Sequence, residues 1–171
     1  MLFRSITAGT YNVTVTDNLG CSDSKVFTVT QPNVMAVTVT GTDVTCYGAR
    51  DGMVASTTTG GTTAYSYAWY STSSGTAILG QTASTLTGRS PGTYYVRVTD
   101  ANGCSVTSSN ATITQPAALL VSVSKTNVSC YGGSNATANA AASGGNAPYT
   151  YTWTNASSQV VGTTYRIVNV P

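Results

Sequence analysis

Four cysteines (Cys21, Cys46, Cys104 and Cys130) and five aspartates are the residues of this chain with the most chemistry to offer. The sequence contains no His and no Glu. General acid–base catalysis draws on a group titrating near the working pH, most often His or a perturbed carboxylate, so a non-catalytic role is expected. The cysteines show no Cys-x-x-Cys spacing, and without His a zinc site is a poor reading. Asp17 and Asp100 head turns of Asn/Gly type, where a carboxylate bonds backbone N–H groups two residues on. They are the weak candidates for Ca2+, which wants several converging oxygens. Asp43 and Asp51 could add oxygens, yet Asn127 and Asn135 stand at the equivalent places later in the chain. Beyond that weak Ca2+ candidacy, no cofactor is expected.

The aromatic residues form a second set. Tyr65, Tyr67 and Trp69 alternate and so share one face of a strand, and Tyr149, Tyr151 and Trp153 repeat the pattern. Tyr11 and Tyr94 each follow Gly-Thr at the start of a Val-rich strand. All eight are expected as core aromatics, although such a face could also stack on a sugar. Tyr47, Tyr70 and Tyr131, read as exposed loop residues, are the candidates for contact with an outside surface. Tyr47 and Tyr131 each follow a cysteine, a place that equally suits packing at a junction.

Composition describes the elements that must hold these residues. The chain has 171 residues, 41% hydrophobic and 7% charged, against about 25% charged in soluble domains generally. Val, Thr and Tyr dominate, which is strand chemistry. The net charge is +2, and Lys and Arg are scattered singly, so no nucleic-acid partner is expected. No apolar run reaches the ~20 residues of a membrane span. Met1-Leu2-Phe3-Arg4 lacks the apolar region and cleavage site of a signal peptide; Met1 is expected to be an imposed rather than natural start.

Repetition decides the architecture. Gly9-Thr10-Tyr11-Asn12-Val13-Thr14-Val15-Thr16-Asp17-Asn18-Leu19-Gly20-Cys21 recurs as Gly92-Thr93-Tyr94-Tyr95-Val96-Arg97-Val98-Thr99-Asp100-Ala101-Asn102-Gly103-Cys104. Thr30-Gln31-Pro32 recurs as Thr114-Gln115-Pro116, Asp43–Gly48 as Asn127–Gly132, Gly60-Gly61 as Gly144-Gly145, and Tyr65–Trp69 as Tyr149–Trp153. The expected fold is all-β: tandem immunoglobulin- or fibronectin-III-like β-sandwich repeats of about 84 residues. Proline ends a ladder, so the Gln-Pro pairs mark the boundaries. Residues 1–32 read as the C-terminal part of a preceding repeat, 33–116 as one complete repeat, and 117–171 as the N-terminal part of a following one. The parent chain is expected to continue on both sides. Within the complete repeat, strands are expected at 37–40, 54–58, 65–69, 84–87, 94–98 and 106–114. A variable stretch at 71–83 is expected to hold a short edge strand.

Low charge, abundant Ser and Thr and four cysteines suit an oxidising, extracellular setting. Three disulfide schemes compete. Cys46 with Cys104 would join one repeat to itself, but in such a sandwich the two lie at opposite ends. Roughly 20 Å of strand separates them, against a Cα reach of about 4.4–6.8 Å. Cys21 with Cys46, repeated as Cys104 with Cys130, would need the Gln-Pro link to fold back. The preferred scheme is a staple across each junction, pairing each cysteine with a residue outside the fragment. An internal Lys–Asn crosslink is disfavoured, because residues 33–116 contain no Lys.

Taken together, Gly-Gly-x-x-x-Tyr-x-Tyr-x-Trp, Gly-Thr-Tyr-x-Val-x-Val-Thr-Asp-x-x-Gly-Cys and Thr-x-Thr-Gln-Pro resemble the SprB-type repeat. The resemblance covers nearly the whole chain. It implies a cell-surface adhesin of gliding Bacteroidetes, secreted through the type IX pathway, whose repeats form a stalk or filament. One departure is Arg89, at a position where that family usually has Leu and where the flanking repeats carry Ile6 and Val170. Expected partners are neighbouring repeats of the same chain, with surface polysaccharide, a solid surface or other copies in a fibre as further options. Two alternatives stand beside the adhesin: a carbohydrate-binding module of a secreted enzyme, and a self-assembling fibre subunit whose residues 1–32 complete residues 117–171 of a neighbour.

Overall fold

Val and Thr in alternation form strands here because β-branched side chains suit a pleated surface covered on one face. The computed structural model describes residues 5–170, and among them there are strands, turns and no helix. β1 (Gly9–Thr16) and β2 (Ser22–Val29) form an antiparallel hairpin. β3 (Ala36–Thr42), β4 (Gly52–Thr59) and, across β4, β6 (Thr85–Arg89) form one sheet. The facing sheet joins β5 (Ser66–Ser71), β7 (Gly92–Thr99) and β8 (Ser105–Thr107), with β9 (Ala111–Ile113) also on β7. β10 (Leu120–Thr126), β11 (Ala136–Ser143) and β14 (Arg166–Val170) repeat the first sheet, while β12 (Trp153–Thr154) and β13 (Val160–Gly162) form a small pair. The fold is all-β and antiparallel in its ladders, as a chain of sandwich repeats should be.

Val54 and Leu86 from one sheet meet Trp69, Val96 and Val98 from the other, and all five are fully buried. Ile113 of β9 joins them. Trp69 stands opposite Val96 in the β5–β7 register, and its Nε1–H donates to the Ala83 carbonyl at 2.9 Å. The indole therefore enters the core with its one polar group satisfied. Full burial of each such side chain is worth about 1.5–3 kcal/mol.

Beside β3, β9 brings the chain to its exit. The Val44 N–H donates to the Thr114 carbonyl at 3.1 Å, and the Thr114 N–H donates to Asp43 at 2.6 Å. Gly41 sits so close to the Thr112 carbonyl that a Cβ would lie 2.7 Å from it, which explains a glycine within β3. At the opening of β7 the Tyr94 hydroxyl donates to the Ser90 carbonyl at 2.9 Å. Tyr11 makes the same corner with the Thr7 carbonyl at 2.7 Å.

The structure departs from the expected strands in three places. The outgoing strand is not continuous over 106–114. β7 pairs Arg97 with Thr107 but Tyr94 with Ala111, so one extra residue is inserted. Ser108 fills the bulge: its N–H donates to the Val96 carbonyl and its hydroxyl accepts from the Val96 N–H. The β1–β2 hairpin lacks that residue. Beyond Ser71, where β5 ends, the stretch to 83 holds no strand, only a bridge between Tyr70 and Ala77, because its Ser, Thr and Gly residues close on each other in local turns. β6 extends to Arg89, which faces Gly52; half-buried, it donates through Nε to the Thr87 carbonyl at 2.8 Å. The third sheet keeps the same frame, with Ala138 opposite Ile167 where Val54 stands opposite Leu86.

Candidate functional site: the junction between repeats

Cys46 lies in a loop between β3 and β4 that its own polar residues hold in shape. The Thr45 N–H and hydroxyl both donate to the Asp51 carboxylate, and the Ala49 N–H donates to the Cys46 carbonyl at 3.1 Å. These bonds hold the Asp51 carboxyl below its usual range, the Thr45 hydroxyl contributing most. Asp43 is lowered likewise by the Thr114 N–H. In the following repeat the equivalent loop uses an amide. Asn135 accepts from the Ser129 N–H at 3.1 Å and donates to the Ser129 hydroxyl at 2.8 Å. The carboxylates thus serve as acceptors for the loop, which an amide oxygen can also do.

This loop reaches the link to the next repeat. The Gly48 N–H donates to the Gln115 side-chain carbonyl at 2.9 Å, and the Asn146 side-chain N–H donates to the Thr45 carbonyl at 2.7 Å. Asn146 follows Gly144-Gly145, so the cysteine loop of one repeat meets the double-glycine loop of the next. Asn146 had not been singled out as a site residue; the signal for it was its place directly after a repeated glycine pair.

At the opposite end of the complete repeat, Asp100 organises the hairpin turn that carries Cys104. Its Oδ1 accepts from the Asn102 and Cys104 N–H groups, and its Oδ2 from Thr62, all at 2.9–3.0 Å. The Thr62 N–H is the main cause of its lowered pKa, against the burial that pushes the other way. Asp17 likewise accepts from Leu19 and Cys21. Carboxylates surrounded by N–H donors suit turns rather than cations. Among the described residues, no group of three or more Asp or Cys is placed to hold a metal ion. Cys104 shares a hollow with Gln31, Pro32 and Asn33. The incoming Gln-Pro link and this turn therefore lie together.

The four cysteines are exposed free thiols. Cys46 lies at the Gln115 end of the complete repeat and Cys104 at the Gln31 end. Trp69 and Tyr94 are buried; Tyr65 and Tyr67 pack at the margin of the core. Tyr11, Tyr149, Tyr151 and Trp153 are half-buried. Tyr65 and Tyr149 donate to the carbonyls of Gly60 and Gly144, the first glycine of each double-glycine loop. Tyr47 and Tyr131 are exposed. Tyr70 is not the loop residue that was expected: it lies on β5, half-buried and stacked on Tyr95 with centroids 4.9 Å apart. The cause is register, which sets the two tyrosines directly opposite on the outer face.

Fold and junctions together define a tandem β-sandwich protein whose neighbouring repeats meet through paired loops. Residues 38–74 and 122–158 match the family model of the SprB repeat. Both matches run from the first strand of a repeat past its tryptophan strand, so the chain is similar to the SprB repeat at two places. Among curated proteins no match is found. No helix among the described residues is long and apolar enough to cross a membrane.

Proposed function

We propose that this chain is a non-catalytic, extracellular segment of a cell-surface adhesin, in which stacked sandwiches form a stalk or filament for gliding or surface attachment. The observation that carries this reading is the junction. The Asn146–Thr45 and Gly48–Gln115 bonds let each repeat hold the next across a short Gln-Pro link, which suits a rod better than a flexible string. SprB repeats as a family support the surface setting. Residues 33–116 and their flanks serve as spacer and contact surface, with neighbouring repeats as the first partners. Antibodies raised against residues 33–116 should label intact cells of the source organism. Labelling that appears only after permeabilisation would sink the proposal.

The second reading is a carbohydrate-binding module, and the Tyr70–Tyr95 stack on the outer face of β5 and β7 is what favours it. Paired aromatic rings offer an apolar face to a sugar ring. Saturable binding on a glycan array, lost in Tyr95→Ala, would favour this reading over the stalk.

A further inference from the structure

The outer face of the sheet formed by β5, β7 and β8 carries three large side chains that the fold does not require. Tyr70 of β5 and Tyr95 of β7 stand directly opposite each other, and their rings stack with centroids 4.9 Å apart and an interplanar angle of 7°. Side chains alternate along a strand, so Arg97 shares this face with Tyr95, while Tyr94, Val96 and Val98 turn into the core. β1 carries Asn12 and Thr14 at the places of Tyr95 and Arg97. It nevertheless pairs with β2 along its whole length and closes the same tyrosine corner. Thr154 takes the place of Tyr70 in the following repeat. Neither strand pairing nor the core therefore accounts for two rings and a guanidinium on this surface.

Arg97 is exposed and held by a neutral partner. Its Nε and Nη2 both donate to the Ser105 hydroxyl, at 3.3 and 3.0 Å. That uses one edge of the guanidinium and leaves the Nη1–Nη2 end, whose two parallel N–H groups match a carboxylate. The aspartates of residues 33–116 are engaged elsewhere: Asp43 by Thr114, Asp51 by Thr45, and Asp100 by Thr62, Asn102 and Cys104. Those three aspartates balance Arg50, Arg89 and Arg97, the three cationic residues of the same stretch. A polyanion therefore gains nothing from the repeat as a whole, and only a carboxylate placed at Arg97 is attracted.

The stack covers one face of each ring. The other face of Tyr95 lies on the side of β8 and β9, beside the bulge at Ser108. Arg97 and Thr107, opposite each other in the ladder, bound that place at one end; Thr93 and Thr112 bound it at the other. Tyr95 and Arg97 are one row apart, about 6.6 Å at 3.3 Å per residue. We propose that this face binds a uronic-acid polysaccharide. A sugar ring packs on Tyr95, its carboxylate pairs with the free end of Arg97, and the exposed Thr107 and Thr112 meet its hydroxyl groups. An acidic peptide would satisfy Arg97 but would leave Tyr95 without a ring to stack on. This inference rests on the sugar-binding reading of the Tyr70–Tyr95 stack; it adds the charge of the ligand and the residue that reads it.

Titration of the 15N-labelled chain with trigalacturonate, followed by amide NMR shifts, tests the site. The methyl ester of the same sugar is the neutral counterpart, and triglutamate is an anion without a sugar ring. Trigalacturonate should shift the amides of Tyr95, Arg97 and Thr107, with an affinity about tenfold above that for the ester. Triglutamate should shift none of them. Arg97→Thr, the exchange that β1 shows at Thr14, should lower the affinity for trigalacturonate to that for the ester. Tyr95→Asn, matching Asn12, should abolish binding of both sugars. Tryptophan fluorescence should be unchanged in both variants. Equal affinity for trigalacturonate and its ester overturns the carboxylate contact and leaves the sugar reading standing. An equal response to triglutamate, or shifts confined to other parts of the chain, overturns the site. The absence of shifts with either sugar overturns both readings.

Discussion

The side-chain amide of Asn146 donates to the backbone carbonyl of Thr45 at 2.7 Å, a bond that spans 101 residues of sequence and ties the cysteine loop of one repeat to the double-glycine loop of the next. An exposed bond of this kind is worth little to folding, no more than about 1 kcal/mol. Its effect should lie in orientation. Asn146→Ala is expected to leave the unfolding midpoint of the complete repeat unchanged and to broaden the angle between repeats, read as reduced residual dipolar couplings for residues 117–170 relative to 33–116.

Trp69 should be the most sensitive position. It is fully buried and its indole is bonded to Ala83. Trp69→Ala should cost about 3–5 kcal/mol, a large part of the roughly 5–15 kcal/mol that holds a domain folded. Trp153→Ala should cost clearly less, since Trp153 is only half-buried. Urea titrations of the two variants, followed by far-UV circular dichroism, compare them.

The two tyrosine corners should separate in the same experiment. Tyr94→Phe removes the bond to Ser90 in a covered corner and should lower stability by about 0.5–1.5 kcal/mol. Tyr11→Phe removes the same bond in the hairpin and should not shift the unfolding of residues 33–116.

Acid should loosen both ends of the complete repeat. Asp43, Asp51 and Asp100 each have a folded pKa below the ordinary 3.8. Their contribution is therefore fully present above that value and is lost as the pH falls through their folded values. The urea midpoint should stay flat from neutral pH to about pH 4 and drop below it. Asp51→Asn should fold normally, as Asn135 does in the next repeat, and should lessen the acid dependence.

Much of the fold was legible because strands obey a period of two. Val37 and Val39 marked β3, and Tyr94, Val96 and Val98 marked the inward face of β7. The broken outgoing strand was hidden, since Ser108 differs from its neighbours only by being one residue too many. Tyr70 was misplaced because its position on β5 is fixed by Tyr95 across the sheet, a pairing no local pattern carries. Asp43 and Asp51 looked like sparse cation ligands. The exchange with Asn127 and Asn135 was the hint that their oxygens bond to the loop itself. Asn146 was marked only by its place after the repeated glycine pair, and its role at the junction stayed hidden because its partner Thr45 lies 101 residues away.

The side-by-side course of β3 and β9 has a mechanical consequence. The chain enters the sandwich near Pro32, beside the Asp100 turn, and leaves at Gln115, beside the Cys46 loop. Tension along the array would therefore pull β3 and β9 in opposite directions. The Asp43–Thr114 and Val44–Thr114 bonds would then be strained together in shear, not peeled one after another, and resistance to stretching would be concentrated in that pair of strands.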